Sequence, residues 1–145
     1  MQYYAVIDTN VLVSAMLKIS SVPGQIVNKA LLGEIIPLLC DEIVEEYREV
    51  LGRPKFKFNP KTVEVFIEGI IDRGIFVDAN PVDEVLPDLK DVVFYEVVME
   101  GRKGNDETYL VTGNLKHFPV KSFIVTPKEM LDIVTGVKYS MGKVL

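Results

Sequence analysis

Short apolar runs alternate with segments of helical period along this chain. Residues 3–7 (YYAVI) are aromatic and β-branched, the composition of a buried strand. The run ends on Asp8, and Thr9 or Asn10 is suited to cap the helix that follows, VLVSAMLK. Pro23 and Gly24 break the chain. Residues 25–33 (QIVNKALLG) then read as a helix with Gly33 as its stop signal. A second strand is expected over 34–40 (EIIPLLC), where Pro37 implies an edge or a bulge. Asp41 is suited to cap a helix over 42–52, whose Ile43, Val44, Tyr47, Val50 and Leu51 share one face. Residues 53–60 (RPKFKFNP) form a loop bounded by prolines, 61–73 another amphipathic helix and 74–79 (GIFVDA) a third strand. A turn-rich, acidic stretch over 80–90 precedes a helix over 91–100. Residues 107–114 (ETYLVTGN) are a fourth strand ending in a turn, and 122–126 (SFIVT) a short fifth. The last helix, 127–136, carries Pro127 in its tolerant first turn, and the tail over 137–145 has no clear pattern.

Strands that alternate with helices imply an α/β fold with a parallel sheet covered on both faces. Ligands in such sheets bind beyond the carboxyl ends of the strands, near the point where strand order reverses. Asp8 stands at such an end, which gives a reason for a carboxylate to close a buried strand.

Length and composition narrow the class. The 145 residues fit one domain over 1–145, with a core over about 3–134 and a tail over 135–145. Apolar residues make up 48%, enough to bury a core. The single cysteine, Cys40, excludes an internal disulfide framework and has no histidine close in sequence to activate it. There is no basic-then-apolar leader, and no apolar run approaches the ~20 residues of a membrane helix. The expectation is a cytoplasmic protein with no membrane association. The net charge of −5 argues against a simple polyanion-binding module. Clustered carboxylates that hold divalent cations reverse that argument locally, because the bound charge then faces phosphate.

Four positions are candidates for one site. Asp8 ends the first strand, Glu46 lies within the helix EIVEEYREVL, Asp91 opens the helix DVVFYEVVM, and Asn114 follows the fourth strand. Each also has a plain reading. Asp8 and Asp91 fit helix caps, Glu46 fits a solvated face and Asn114 fits a turn. Taken together, they supply the oxygen ligands that a hard cation such as Mg2+ or Mn2+ needs.

Four segments carry a resemblance: VIDTNVLVSAM, EEYREVLGRPKF, DLKDVVFYEV and YLVTGNLKHFPVKSFIVTPKEML. In this order they resemble PIN domains over residues 3–134, and most closely the toxin components of toxin–antitoxin pairs related to VapC-type ribonucleases. The resemblance implies a three-layer α/β/α sandwich with a mainly parallel sheet of four or five strands. It also implies Mg2+- or Mn2+-dependent hydrolysis of RNA. By the matching motifs, Asp8, Glu46 and Asp91 would hold the metal, with Asn10 and Thr112 in support. The family usually reads TGD where this chain reads TGN, so Asn114 is a neutral fourth participant. One carboxylate fewer weakens a second metal most, which leaves one-metal, weak or absent catalysis open. Asp88 and Glu96 are nearby acids, although Glu96, five positions after Asp91 on a helix, points elsewhere. The partners implied are an RNA substrate, a cognate antitoxin protein and a second copy in a homodimer.

RPKFKF interleaves cations with aromatic rings, so Arg53 and Lys55 can touch an RNA backbone while the rings stack on bases. The plain alternative is a solvated loop with its rings turned to the core. Lys116 and His117 lie next to the site in sequence; the first is a candidate phosphate contact and the second a proton carrier or a turn residue. Two rivals to a nuclease are carried. One is a catalytically inactive PIN domain that binds RNA or protein. The other is a phosphatase or signalling domain of flavodoxin-like build. The dehalogenase-type phosphatase needs a second acid two positions after the first, where this chain has Asn10.

Overall fold

The computed structural model describes residues 2–136, so the tail over 137–145 lies outside the described residues. Strand β1 spans Tyr3–Ile7, followed by α1 (Thr9–Leu17) and α2 (Val22–Leu31). Strand β2 (Ile35–Leu39) leads to α3 (Asp41–Leu51) and α4 (Pro60–Arg73). Strand β3 is only Ile75–Phe76; α5 (Val92–Arg102), β4 (Thr108–Val111), β5 (Ile124–Val125) and α6 (Pro127–Thr135) complete the order.

The five strands form one sheet in the order β3-β2-β1-β4-β5, and every neighbouring pair is parallel. The chain steps outward from β1 to β2 and β3, then returns to the other side of β1 for β4 and β5. The reversal therefore falls between β1 and β4, where the helices diverge and a cleft opens. In register, Ala5 of β1 pairs with Pro37 on one side and Tyr109 on the other. Helix α5 crosses β4, β1 and β2, while α2 packs with α1, α4 and α6, giving the three-layer α/β/α sandwich.

Fully buried Tyr47 and Phe94 meet at 6.3 Å with their rings tilted by 44°, which locks α3 to α5. Burial of each such ring or aliphatic side chain contributes about 1.5–3 kcal/mol. Tyr47 also donates its hydroxyl to the carbonyl of Ile7 at 2.6 Å, below the end of β1.

Several local expectations are corrected. Helix α2 starts at Val22, so Pro23 and Gly24 lie in its first turn; Ser21 caps it by accepting from the Gly24 N–H at 3.2 Å. A proline there sacrifices no helical bond. A Cβ at Gly24 would collide with the Ile19 carbonyl, so this glycine serves close approach. Strand β2 is an interior strand, against the edge reading of Pro37. Pro37 and Leu39 turn their backbone groups toward β3, whose pairing reaches only Leu38 and Leu39. The missing N–H of Pro37 thus falls where no partner strand yet runs. The cap positions are Asp8 for α1 and Cys40 for α3 rather than Thr9, Asn10 or Asp41, and neither side chain makes a capping bond. Strands expected over 74–79 and 107–114 pair over only two and four residues.

Candidate active-site cleft

The two strands at the reversal point end side by side. The Asp8 N–H donates to the Val111 carbonyl at 2.9 Å, and the Thr112 N–H to the Val125 carbonyl at 2.9 Å. Beyond those bonds, side chains take over. Asp8 Oδ2 accepts from the Thr112 hydroxyl at 2.7 Å and from Asn10 Nδ2 at 3.3 Å. The same Thr112 oxygen accepts from the Asn114 N–H at 3.0 Å, and Asn10 Oδ1 accepts from the Gly113 N–H at 3.2 Å. The Asp8 side chain is therefore committed to a network between strands and makes no capping bond to α1. Only 6% of Asp8 is exposed, and this burial raises its pKa despite the Thr112 hydrogen bond that opposes it.

Glu46 and Asp91 face the same opening. On α3, Glu45 and Glu49 are exposed while Glu46 is half-buried, so helical phase sets it apart from its acidic neighbours. Partial burial raises its pKa, Lys90 opposes the rise, and the charges of Glu49 and Asp8 add to it. Asp91 immediately precedes α5 without capping it. The cap of the short turn Leu89–Asp91 is Asp88, which accepts from the Lys90 N–H at 2.9 Å. Asp91 Oδ2 is buried and has no hydrogen-bond partner. His117 Nδ1 stands 3.3 Å from it, within ion-pair reach but without hydrogen-bond alignment. Burial pushes Asp91 up to about 6, the charges of Asp8 and Asp88 add to the rise, and His117 offsets part of it.

Asp8, Glu46, Asp91 and Asn114 line one open cleft of about 350 Å³, together with Asn10 and His117. Asp88 and Arg53 are also on its wall. Glu96 is not; it borders a neighbouring depression with Glu46 and Lys90, as its helical phase predicts. Lys116 is exposed and does not line the cleft. Arg53 is held in place by Glu49 through bonds of 2.8 and 2.7 Å. Lys55 stands 5.1 Å above the ring of Phe56, which also lines the cleft. The loop over 53–60 thus sends one ring to the site and the other, Phe58, to the core. Cys40 is half-buried, and burial raises its thiol pKa, which disfavours a nucleophilic role.

The oxygen donors are of the type that a hard cation takes, and a buried acid oxygen that accepts no aligned hydrogen bond is suited to one. Among the described residues, no group of three His, Cys, Asp or Glu side chains is close enough to share an ion. Mg2+ commonly takes only one or two protein carboxylates and keeps water in its other positions. At most two of the carboxylates of Asp8, Asp91 and Glu46 could meet one such ion in this arrangement, with water in its other positions.

Two supporting residues escaped the sequence reading. Tyr47 fixes the carbonyl next to Asp8, and Lys90 faces Glu46. A tyrosine on an apolar stripe, next to a candidate acid, was the available signal for the first. A family model described as PIN domain matches residues 4–116. No curated protein and no solved structure matches the chain.

Proposed function

Because the chain belongs to the PIN-domain family, whose members are generally nucleases, we propose that it is a metal-dependent endoribonuclease. In this reading it acts in the cytoplasm as the toxin of a toxin–antitoxin pair. The observation that carries the reading is one cleft at the sheet's reversal point, lined by Asp8, Glu46, Asp91 and Asn114. Asp8, Asp91 and Glu46 would hold Mg2+ or Mn2+. A cation bound there supplies the positive charge that lowers the pKa of water and offsets charge building on the leaving oxygen. Thr112 and Asn10 keep the Asp8 carboxylate aimed at the cleft, and Asn114 contributes an uncharged amide at its rim. His117 serves as the proton carrier beside Asp91.

Labelled RNA incubated with the chain and Mn2+ tests this directly. Wild type should release fragments, and Asp8→Asn should release none while keeping its circular-dichroism spectrum. Equal cleavage by Asp8→Asn would remove it from the site. Two observations favour a second reading, a non-cutting RNA- or protein-binding module: the neutral Asn114, and the absence of a close acidic trio among the described residues. RNA retained without fragments, equally by wild type and Asp91→Ala, would select it. The homodimer and the antitoxin belong to the proposal as well. Sedimentation tests the first, and co-purification with the product of the adjacent gene the second.

A further inference from the structure

Between Glu49 and Glu64 the chain carries four cations and no acid: Arg53, Lys55, Lys57 and Lys61. In a chain of net charge −5, this is a local reversal of sign, and it abuts the acidic cleft. Within it, the rings of Phe56 and Phe58 stack at 5.5 Å with only 13° between their planes. Phe58 packs against the hydrophobic core, so it anchors Phe56 from behind. Lys57, between the two, has a left-handed backbone (φ 57°), uncommon for a side chain of its size, and closes the turn that brings the rings together. Phe56 is thus a ring held in a fixed plane on the wall of the acidic cleft, with the Lys55 ammonium 5.1 Å from its centroid.

We infer that Phe56 is a stacking platform for one unpaired base of single-stranded RNA, next to the phosphate that a cation held by the acids would face. The inference rests on the nuclease reading for the identity of the ligand. A flat ring accepts any base face, so the platform confers a requirement for unpaired strand rather than for sequence. A base arriving on the ring displaces the Lys55 ammonium, which is exposed and free to turn to the adjoining phosphate. Arg53, tethered by Glu49, borders the same wall and marks the path of the backbone. A base in a duplex is already stacked on its neighbours and cannot leave them without unpairing, so double-stranded RNA should be refused.

The chain has no tryptophan, so Phe56→Trp introduces a single indole reporter at this position. In an Asp8→Asn background, which prevents cutting, a single-stranded oligoribonucleotide should quench its fluorescence. The matching duplex should quench little, and an oligonucleotide made wholly of abasic residues should not quench at all. Phe56→Leu, otherwise intact, should raise KM for single-stranded RNA by roughly 5- to 150-fold, the range of one lost base stack. Its kcat should stay within about two-fold. No quenching, or equal quenching by duplex, overturns the inference. If wild type cuts RNA and Phe56→Leu cuts it with unchanged KM, the platform falls and the nuclease reading stands. If wild type cuts nothing with Mn2+ yet the indole is quenched selectively, the nuclease reading falls and the platform stands.

Discussion

Replacing Asp91 by Asn should stabilise the protein at neutral pH. Asp91 Oδ2 is buried with no aligned hydrogen bond, and the Asp8 and Asp88 charges add to the burial while His117, 3.3 Å away, offsets part of it. The carboxyl is pushed from 3.8 to about 6 in the folded chain. A raised folded-state pKa means that the folded chain binds the proton more tightly than the unfolded one. Ionisation therefore costs nothing below the unfolded value, costs progressively more from about 4 to 6, and levels off above that. At 1.36 kcal/mol per pH unit the ceiling is about 3 kcal/mol. The cleft is open to solvent, which screens the charges, so about 1–2 kcal/mol is the discounted expectation. Asn approximates the protonated acid and carries none of this penalty. Urea unfolding followed by circular dichroism in EDTA should show the variant about 1–2 kcal/mol more stable at pH 8, or roughly 3–6 °C in Tm. At pH 4.5 the difference should shrink to about a third of that. Saturating Mn2+ should reverse the order, since a ligand at 100 times its Kd adds about 2.7 kcal/mol to the chain that binds it. A variant less stable at pH 8, or a gap independent of pH, would refute the account of Asp91 as a strained acid awaiting a cation.

Three further outcomes follow from the same geometry. Thr112→Val removes both the donor to Asp8 and the acceptor for the Asn114 N–H; chemical denaturation should record a loss of about 2–3 kcal/mol, and the Asp8 pKa should rise further when followed by carboxyl NMR. Tyr47→Phe leaves the buried Ile7 carbonyl without its 2.6 Å donor, and thermal melting should report a loss of about 1–2 kcal/mol with secondary structure retained. Gly24→Ala drives a methyl group into the Ile19 carbonyl, so the α1–α2 junction must shift; the variant should lose more than about 2 kcal/mol, and unchanged stability would mean that the junction adapts freely.

What local order can encode was legible in the chain. The five strands and six α-helices of the described residues were anticipated, although often with shifted ends, because apolar period and turn chemistry act over a few residues. Asp8 was singled out for the same reason, since a charge that closes a buried run is a local anomaly. The resemblance named the family, and the family model bears that out over residues 4–116. Pro37 was misjudged because its effect depends on how far a separate strand, β3, extends along β2. Pro23 and Gly24 were misjudged because Ser21 begins the helix before them.

The cleft itself belongs to the tertiary structure. The 2.7 Å bond between Asp8 and Thr112 joins residues 104 positions apart, and only strand order sets them side by side. That bond turned Asp8 from a possible cap into an oriented acid. Helical phase against the packed sheet separated Glu46 from Glu45 and Glu49, and burial, with the charges of Asp8 and Asp88 added, raised Asp91. Sequence determines which short segments become strand or helix because those preferences are local. The direction and charge state of each acid wait on neighbours from distant segments, because burial and Coulomb forces act across space rather than along the chain.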